Sequence, residues 1–157
     1  MNGLSYSKPC ILPGDLIPLL ESRGLHIADT QKAIDYLSTI RKKIAHTFKL
    51  PFPVFSSWIL TLANLRNVCC HHNRTWNKDH LVIPTDLLSP VFPWIDSSAT
   101  DMKRIYYRIC IIKYFLFTVS PNNTFTKKLM SLLAEFPTVD VNAMGFPPTW
   151  RSEPLWI

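Results

Sequence analysis

Apolar side chains recur every three or four residues in five stretches of the chain, which is the spacing of one face of an α-helix. The stretches cover about residues 14–23, 30–46, 58–73, 102–119 and 125–136. The chain has only four glycines but thirteen prolines, and the prolines cluster between the stretches. Stiff connectors between helices fit this distribution better than the glycine-rich turns of a sheet. The pattern predicts a single all-α domain over residues 1–157, built as a helical bundle.

Residues at the borders of these stretches predict where the helices begin and end. Gly24 follows the first stretch and is suited to stop a helix. Residues that can cap the other four helices are Asp29, Ser56 or Ser57, Ser98 paired with Asp101, and Thr124. Residues 77–99 show no sustained period and predict either a long connection or a wrap over the helices. Residues 138–157 are rich in proline and aromatic side chains, and predict an irregular C-terminal strap packed on the bundle.

Membrane and secretory classes do not fit the chain. Its most hydrophobic segment, Ile105–Val119, contains Arg108 and Lys113, so it predicts a core helix and no membrane partner. The first ten residues lack the apolar core of a secretory signal, and we therefore expect a cytoplasmic protein with reduced cysteines.

The net charge of +6 lies in one quarter of the chain. Residues 41–80 hold seven basic side chains and a single acid, Asp79, whereas the rest of the chain is balanced. A local excess of this kind suggests a polyanion such as nucleic acid, although a solvated basic surface would give the same count. The basic side chains outside the third helix that could contact RNA are Arg41, Lys42, Lys43, Arg74 and Lys78.

The end of the third helix carries the densest group of chemically active side chains. Asn67 and His71 are four residues apart and share a helix face, and the long Arg66 side chain can reach the same groove. Histidine exchanges a proton near neutral pH and can act on the 2′-hydroxyl or the leaving oxygen of RNA. Arginine can hold the scissile phosphate and stabilise its developing charge. Surface cations at a helix C-terminus, favoured by the helix dipole, are the alternative interpretation.

A zinc site is the other chemistry that neighbouring Cys69, Cys70, His71 and His72 could suggest. Adjacent residues of a helix cannot converge on one tetrahedral ion, and no second Cys/His pair stands at a typical ligand spacing. We therefore expect no metal and no cofactor.

The sequence from Arg66 to His71 has the form of the HEPN ribonuclease signature: an arginine, a polar residue, a short spacer and a histidine. The run from Leu65 to Lys78 resembles the central block of the Abi-like (abortive infection, AbiD/AbiF-type) bacterial family. Further segments that resemble the family in order are Leu19–Leu25, Phe92–Trp94, Met144–Trp150 and Pro154–Trp156.

This resemblance implies a HEPN-type domain that forms a homodimer and cleaves RNA without metal, in phage defence or in a toxin–antitoxin system. It implies catalytic roles for Arg66 and His71 and a supporting role for Asn67. His72, Arg74 and Lys78 fall in the same block and are candidate RNA contacts. An antitoxin, either RNA or protein, is a further partner that the resemblance suggests.

The chain departs from the family in one respect. Tyr36 to Ile40 runs almost directly into Arg41 to Ala45, where family members have a long helical middle, so helices are expected to be missing near residues 40–42. The second helix would then be a fusion of two family helices. A shortened member of this kind predicts an alternative function, that of a catalytically inactive module that binds RNA or a partner.

Overall fold

A computed structural model describes residues 11–71 and 74–157 of the chain. Within these ranges there are five α-helices and no strand, which confirms the predicted all-α class. The helices are α1 (Pro13–Glu21), α2 (Thr30–Thr47), α3 (Phe52–Cys70), α4 (Ile105–Val119) and α5 (Phe125–Glu135). Two short 3-10 turns lie at Ser97–Ala99 and Trp150–Ser152. The interpretation of the first ten residues and the predicted contact at His72 lie outside the described residues.

The first two helices begin and end close to where the sequence predicts. Gly24 follows α1 with a φ of +91°, a backbone conformation that glycine adopts without strain. The Asp29 carboxylate accepts a hydrogen bond of 2.9 Å from the Lys32 amide, which confirms it as the cap of α2. Helix α2 then runs without interruption through residues 40–42.

The start of α3 was predicted wrongly. The helix begins at Phe52, six residues before the predicted Trp58, because Pro51 and Pro53 occupy its first turn, where a missing N–H costs no hydrogen bond. Ser57 therefore lies inside the helix, and its hydroxyl accepts a 2.8 Å hydrogen bond from the Thr85 amide. The helix ends at Cys70, three residues before the end predicted at about residue 73.

The predicted capping box of α4 is also wrong. The helix starts at Ile105, and Ser98 belongs to a separate 3-10 turn, where the Asp96 carboxylate accepts hydrogen bonds from the Ser98 amide and hydroxyl. The Asp101 carboxylate bonds the amide of Lys103 instead of capping α4. Thr124 does precede α5, but its side chain makes no capping bond, and Asn123 accepts from the Phe125 amide in its place.

Helix α4 is the centre of the core, as its sequence predicts. Eight of its residues are buried, and no helix within the described ranges has the length and apolarity that a membrane span requires. Trp58 of α3 is fully buried beside it and stacks on Trp94 with ring centroids 4.9 Å apart. Burial of large aromatic side chains of this kind is the main source of stability in a small domain.

The connection between α3 and α4 wraps over these two helices, which is the second of the two predicted alternatives for residues 77–99. The Trp58 indole donates a 2.9 Å hydrogen bond to the Thr85 carbonyl. The Tyr107 hydroxyl donates to the Asp86 carboxylate at 3.0 Å. Both bonds anchor the middle of the connection to the helical core.

Arg108 fastens the same connection from inside the core. Its guanidinium is fully buried and donates to the backbone carbonyls of Met102, Arg104 and Val82 at 2.9, 2.9 and 2.6 Å. Burial lowers the pKa of Arg108 to about 10, which leaves the side chain cationic at neutral pH. A buried cation held by three carbonyls from separate positions fixes those positions relative to α4.

The C-terminal strap packs on the start of α4, as predicted. The Tyr106 hydroxyl donates to the buried carboxylate of Glu153, and the Trp156 indole donates to that hydroxyl at 3.0 Å. Burial raises the pKa of Glu153 and of Tyr106. Phe146 and Trp150 complete this aromatic cluster.

Gly145 makes the closest approach between the strap and the start of α4. Its φ is +87°, and a Cβ added there would lie 2.4 Å from the Cβ of Arg104. Gly145→Ala should therefore cost backbone strain plus about 1–3 kcal/mol for the steric overlap. The measurement is urea or thermal unfolding of the purified variant.

Gly24→Ala is the matched control for this prediction. Gly24 also has a positive φ, but nothing lies within 4 Å of an added Cβ. The difference between the two variants isolates the contact with Arg104. Equal losses of unfolding free energy would contradict the close packing at Gly145.

Candidate functional site

The end of α3 extends past the core. Val54, Trp58 and Thr61 are its buried residues, and no residue from 62 to 70 is buried. The exposed positions Ile59, Ala63, Arg66 and Cys70 are spaced by four, three and four residues, so they form one stripe along the helix. The catalytic candidates therefore lie on a surface that the folding core leaves open.

The structure brings Arg66 and Asn67 together and places His71 next to them along the helix. The Arg66 guanidinium donates to the Asn67 side-chain carbonyl at 3.4 Å, which is a long hydrogen bond. Asn67 is half-buried, and its backbone carbonyl accepts a 3.1 Å bond from the amide of His71. His71 is the C-terminal capping residue of α3 and is exposed. Among the described residues, no hydrogen bond joins the imidazole to Arg66 or Asn67.

Arg41, Lys42 and Lys43 of α2 differ in their exposure to solvent. The Arg41 guanidinium is half-buried and donates a 2.9 Å hydrogen bond to the carbonyl of Ile11, so it fastens the chain that leads into α1. Lys42 and Lys43 are exposed and carry freely accessible charge. Of the three predicted RNA contacts on α2, Arg41 thus has a packing role that the sequence did not indicate.

The chain after α3 returns to the start of α4. Arg74 and Lys78 are exposed, whereas Asn77 and Asp79 both contact Arg104. Arg104 donates to the Asn77 side-chain carbonyl at 3.2 Å and lies 3.3 Å from an Asp79 carboxylate oxygen. Sequence reasoning did not find Arg104. The sequence offered one indication of such a contact: Asp79 is the single acid of the basic window. Its partner, Arg104, lies outside that window.

The cysteines of this region are free thiols. Cys69 and Cys70 are exposed at the end of α3, and Cys110 is buried in α4. Within residues 11–71 and 74–157, no group of three or more His, Cys, Asp or Glu side chains is arranged to hold a metal ion. The expectation of a site without metal or cofactor stays a prediction.

His80 also lies in the basic window, but it is part of the protein interior. It is buried, and its amide donates a 2.9 Å hydrogen bond to the carbonyl of Lys103. Burial, and then the nearby charge of Arg108, lowers the pKa of His80 to about 4. His80 is therefore neutral at pH 7 and belongs to the packing around Arg108.

The fold and the site define an all-α protein whose exposed helix end carries an arginine, an asparagine and a histidine in a basic region. The family model described as Abi-like protein matches residues 24–77, a segment that contains α2, α3 and these three side chains. The predicted resemblance to the Abi-like family is confirmed over this segment. No curated protein and no solved structure matched the chain. The HEPN signature and the internal shortening stay predictions.

The buried His80 predicts a specific loss of stability in acid. Since the folded protein holds this imidazole with a pKa of about 4 against 6.5 ordinarily, the unfolded chain takes up the proton first as the pH falls. The contribution of His80 is therefore complete above about pH 6.5 and decreases toward pH 4, by at most about 1.4 kcal/mol per pH unit. Urea unfolding between pH 4 and 7 measures this slope.

His80→Gln should flatten the dependence, because glutamine does not titrate. His26→Gln is the control, since His26 is exposed outside the helices. Glu153 has a raised pKa and acts in the opposite direction, but equally in each protein, so the difference between variants reports His80. Parallel curves for wild type and His80→Gln would contradict the assignment.

Proposed function

We propose that this protein is a metal-independent endoribonuclease of a phage-defence or toxin–antitoxin system, acting in the cytoplasm. One observation carries the proposal: Arg66, Asn67 and His71 lie at the exposed end of α3, inside both the Abi-like segment and the basic window. An antitoxin, RNA or protein, would hold such an activity in check.

The three side chains supply the groups that RNA transesterification needs. His71 of one subunit accepts the 2′-hydroxyl proton, the 2′-oxygen bonds to phosphorus, and the bond from phosphorus to the 5′-oxygen breaks. Arg66 stabilises the charge that builds on the phosphate oxygens, and Asn67 orients the guanidinium through the hydrogen bond between them. The products are a 2′,3′-cyclic phosphate and a 5′-hydroxyl. RNA brings its own nucleophile, so the scheme needs no metal ion.

The exposure of the site supports a homodimer as the active form. Arg66 and His71 are both exposed, and charge stabilisation by a guanidinium is stronger where water is excluded. A second subunit facing the end of α3 would exclude that water. It would also supply a second His71 to protonate the leaving 5′-oxygen.

Accessible charge supports RNA as the substrate. Lys42, Lys43, Arg74 and Lys78 are exposed, and the one acid of the window, Asp79, is paired with Arg104. Exposed lysine and arginine side chains attract phosphate groups with little loss of packing. This arrangement favours binding of an extended polyanion.

The alternative function is a catalytically inactive module that binds RNA or a partner protein. The missing contact between the His71 imidazole and Arg66 among the described residues favours it, since a single chain holds no assembled base and cation pair. Binding without cleavage products between pH 5 and 9 would favour this alternative. Products that end in 2′,3′-cyclic phosphate would remove it.

RNA cleavage in EDTA tests the catalytic proposal. His71→Ala should reduce the cleavage rate by about 10²–10⁴-fold, because the general base is lost. His46→Ala is the matched control, since His46 is another exposed histidine of the same basic window, at the end of α2. Cleavage should persist in the control. Undiminished cleavage by His71→Ala would rule out the mechanism.

A further inference from the structure

Arg104 connects the chain that leaves the candidate site to the start of α4. Residues 74–79, here called the return segment, contain the exposed basic residues Arg74 and Lys78. The same segment contains Asn77 and Asp79, which contact the Arg104 guanidinium at 3.2 and 3.3 Å. Arg104 lies outside the basic window, but it binds two residues of the return segment. That segment carries part of the positive charge of the window.

Arg104 itself is held firmly. Its carbonyl accepts a 2.9 Å hydrogen bond from the buried Arg108 guanidinium, and its stem lies directly against Gly145. Immediately after the return segment, the amide of His80 donates a 2.9 Å hydrogen bond to the carbonyl of Lys103. The return segment is therefore fixed at its distal end to the chain that enters α4.

The first residue of the return segment must lie close to the candidate site, because only a short stretch of chain connects them. Arg74 is three residues after His71, and three residues span at most about 11 Å even when fully extended. Arg74 is therefore near the end of α3 whatever path the intervening chain takes. Fixing the return segment at Asn77 and Asp79 limits where Arg74 and Lys78 can lie relative to Arg66 and His71.

The position of Asp79 in the sequence suggests that its contact with Arg104 has a role in RNA binding. An acid inside a basic window weakens attraction for RNA, and it is the single acid among residues 41–80. Asp101 also lies near the Arg104 Nε, at 3.6 Å, and it precedes α4 outside the return segment. Asp79 is the partner that joins Arg104 to the segment with the exposed basic residues.

We propose that Arg104 is a positioning residue, which acts through Asp79 and Asn77 to hold Arg74 and Lys78 against RNA phosphates beside Arg66 and His71. The role in RNA contact rests on the function proposed above. The fixing of the return segment does not, and it can be measured without RNA.

Two matched substitutions separate positioning from simple charge. Asp79→Asn and Asp101→Asn each remove one negative charge next to the Arg104 Nε, from side chains of similar exposure, 59% and 52%. Charge alone predicts tighter RNA binding by both variants. Positioning predicts that Asp79→Asn binds single-stranded RNA about twofold to tenfold more weakly, the range of a lost surface ion pair. Asp101→Asn should bind as wild type or more tightly.

Cleavage kinetics and rescue add readouts that a general loss of stability would not give. Asp79→Asn should raise KM with kcat unchanged, because contacts to phosphates that do not react stabilise the bound substrate and the transition state equally. Arg104→Met should raise KM further, and Arg104→Lys should recover part of the loss, since lysine keeps the charge but not the forked contact with both partners. Tighter RNA binding by Asp79→Asn would overturn the proposal.

Hydrogen exchange of the free protein measures the fixing of residues 74–80 directly. Faster amide exchange there in Asp79→Asn, with wild-type exchange in Asp101→Asn, is the expected result. Unchanged exchange in both variants would overturn the positioning role of Arg104. If wild type binds no RNA, the proposed function fails and the role in RNA contact fails with it, while exchange still decides whether Arg104 fixes the segment.

Discussion

A buried cation held by backbone carbonyls organises this fold. Arg108 is fully buried, and its two terminal nitrogens donate to carbonyls at Val82, Met102 and Arg104, which belong to the wrapping connection and to the chain that enters α4. An uncompensated buried charge would cost several kcal/mol, so these carbonyls must stay in place for the core to form. The two preceding residues act alike, since Tyr107 bonds Asp86 in the connection and Tyr106 bonds Glu153 in the strap. One helical turn thus anchors the irregular chain on both sides of the core.

This arrangement separates the candidate site from the elements that stabilise the protein. The core residues of α3 are confined to its first half, and Leu62 is the furthest along the helix to pack against the core cluster. Arg66 and His71 lie beyond it, on turns that are held by backbone hydrogen bonds and little burial. Substitutions there should change chemistry with small effects on stability, because they create no cavity and leave no buried group unpaired. The return segment joins the two regions through Arg104.

The sequence predicts well what depends on periodic burial and poorly what depends on single distant contacts. Helix α4 and the Asp29 cap follow from local patterns, since the residues that determine them are adjacent in the chain. The start of α3 was missed because the apolar period begins only at Trp58, whereas Pro51 and Pro53 are suited to the first turn of a helix. The pairing of Asp79 with Arg104 joins residues 25 positions apart, and no local pattern indicates such a contact. The catalytic candidates Arg66, Asn67 and His71 could be selected because they are close in sequence on one helix.

The central claim is that the 2′-hydroxyl of the substrate attacks its own phosphate at the end of α3. The most direct measurement is incubation in EDTA with two matched oligonucleotides, an RNA that wild type cleaves and the same RNA with a single 2′-deoxy nucleotide at the cleaved position. Both oligonucleotides should bind equally, the ribose substrate should yield a 2′,3′-cyclic phosphate, and the deoxy substrate should stay intact at that position. Cleavage of both substrates at the same rate would contradict the central claim, since the attacking oxygen would then come from elsewhere.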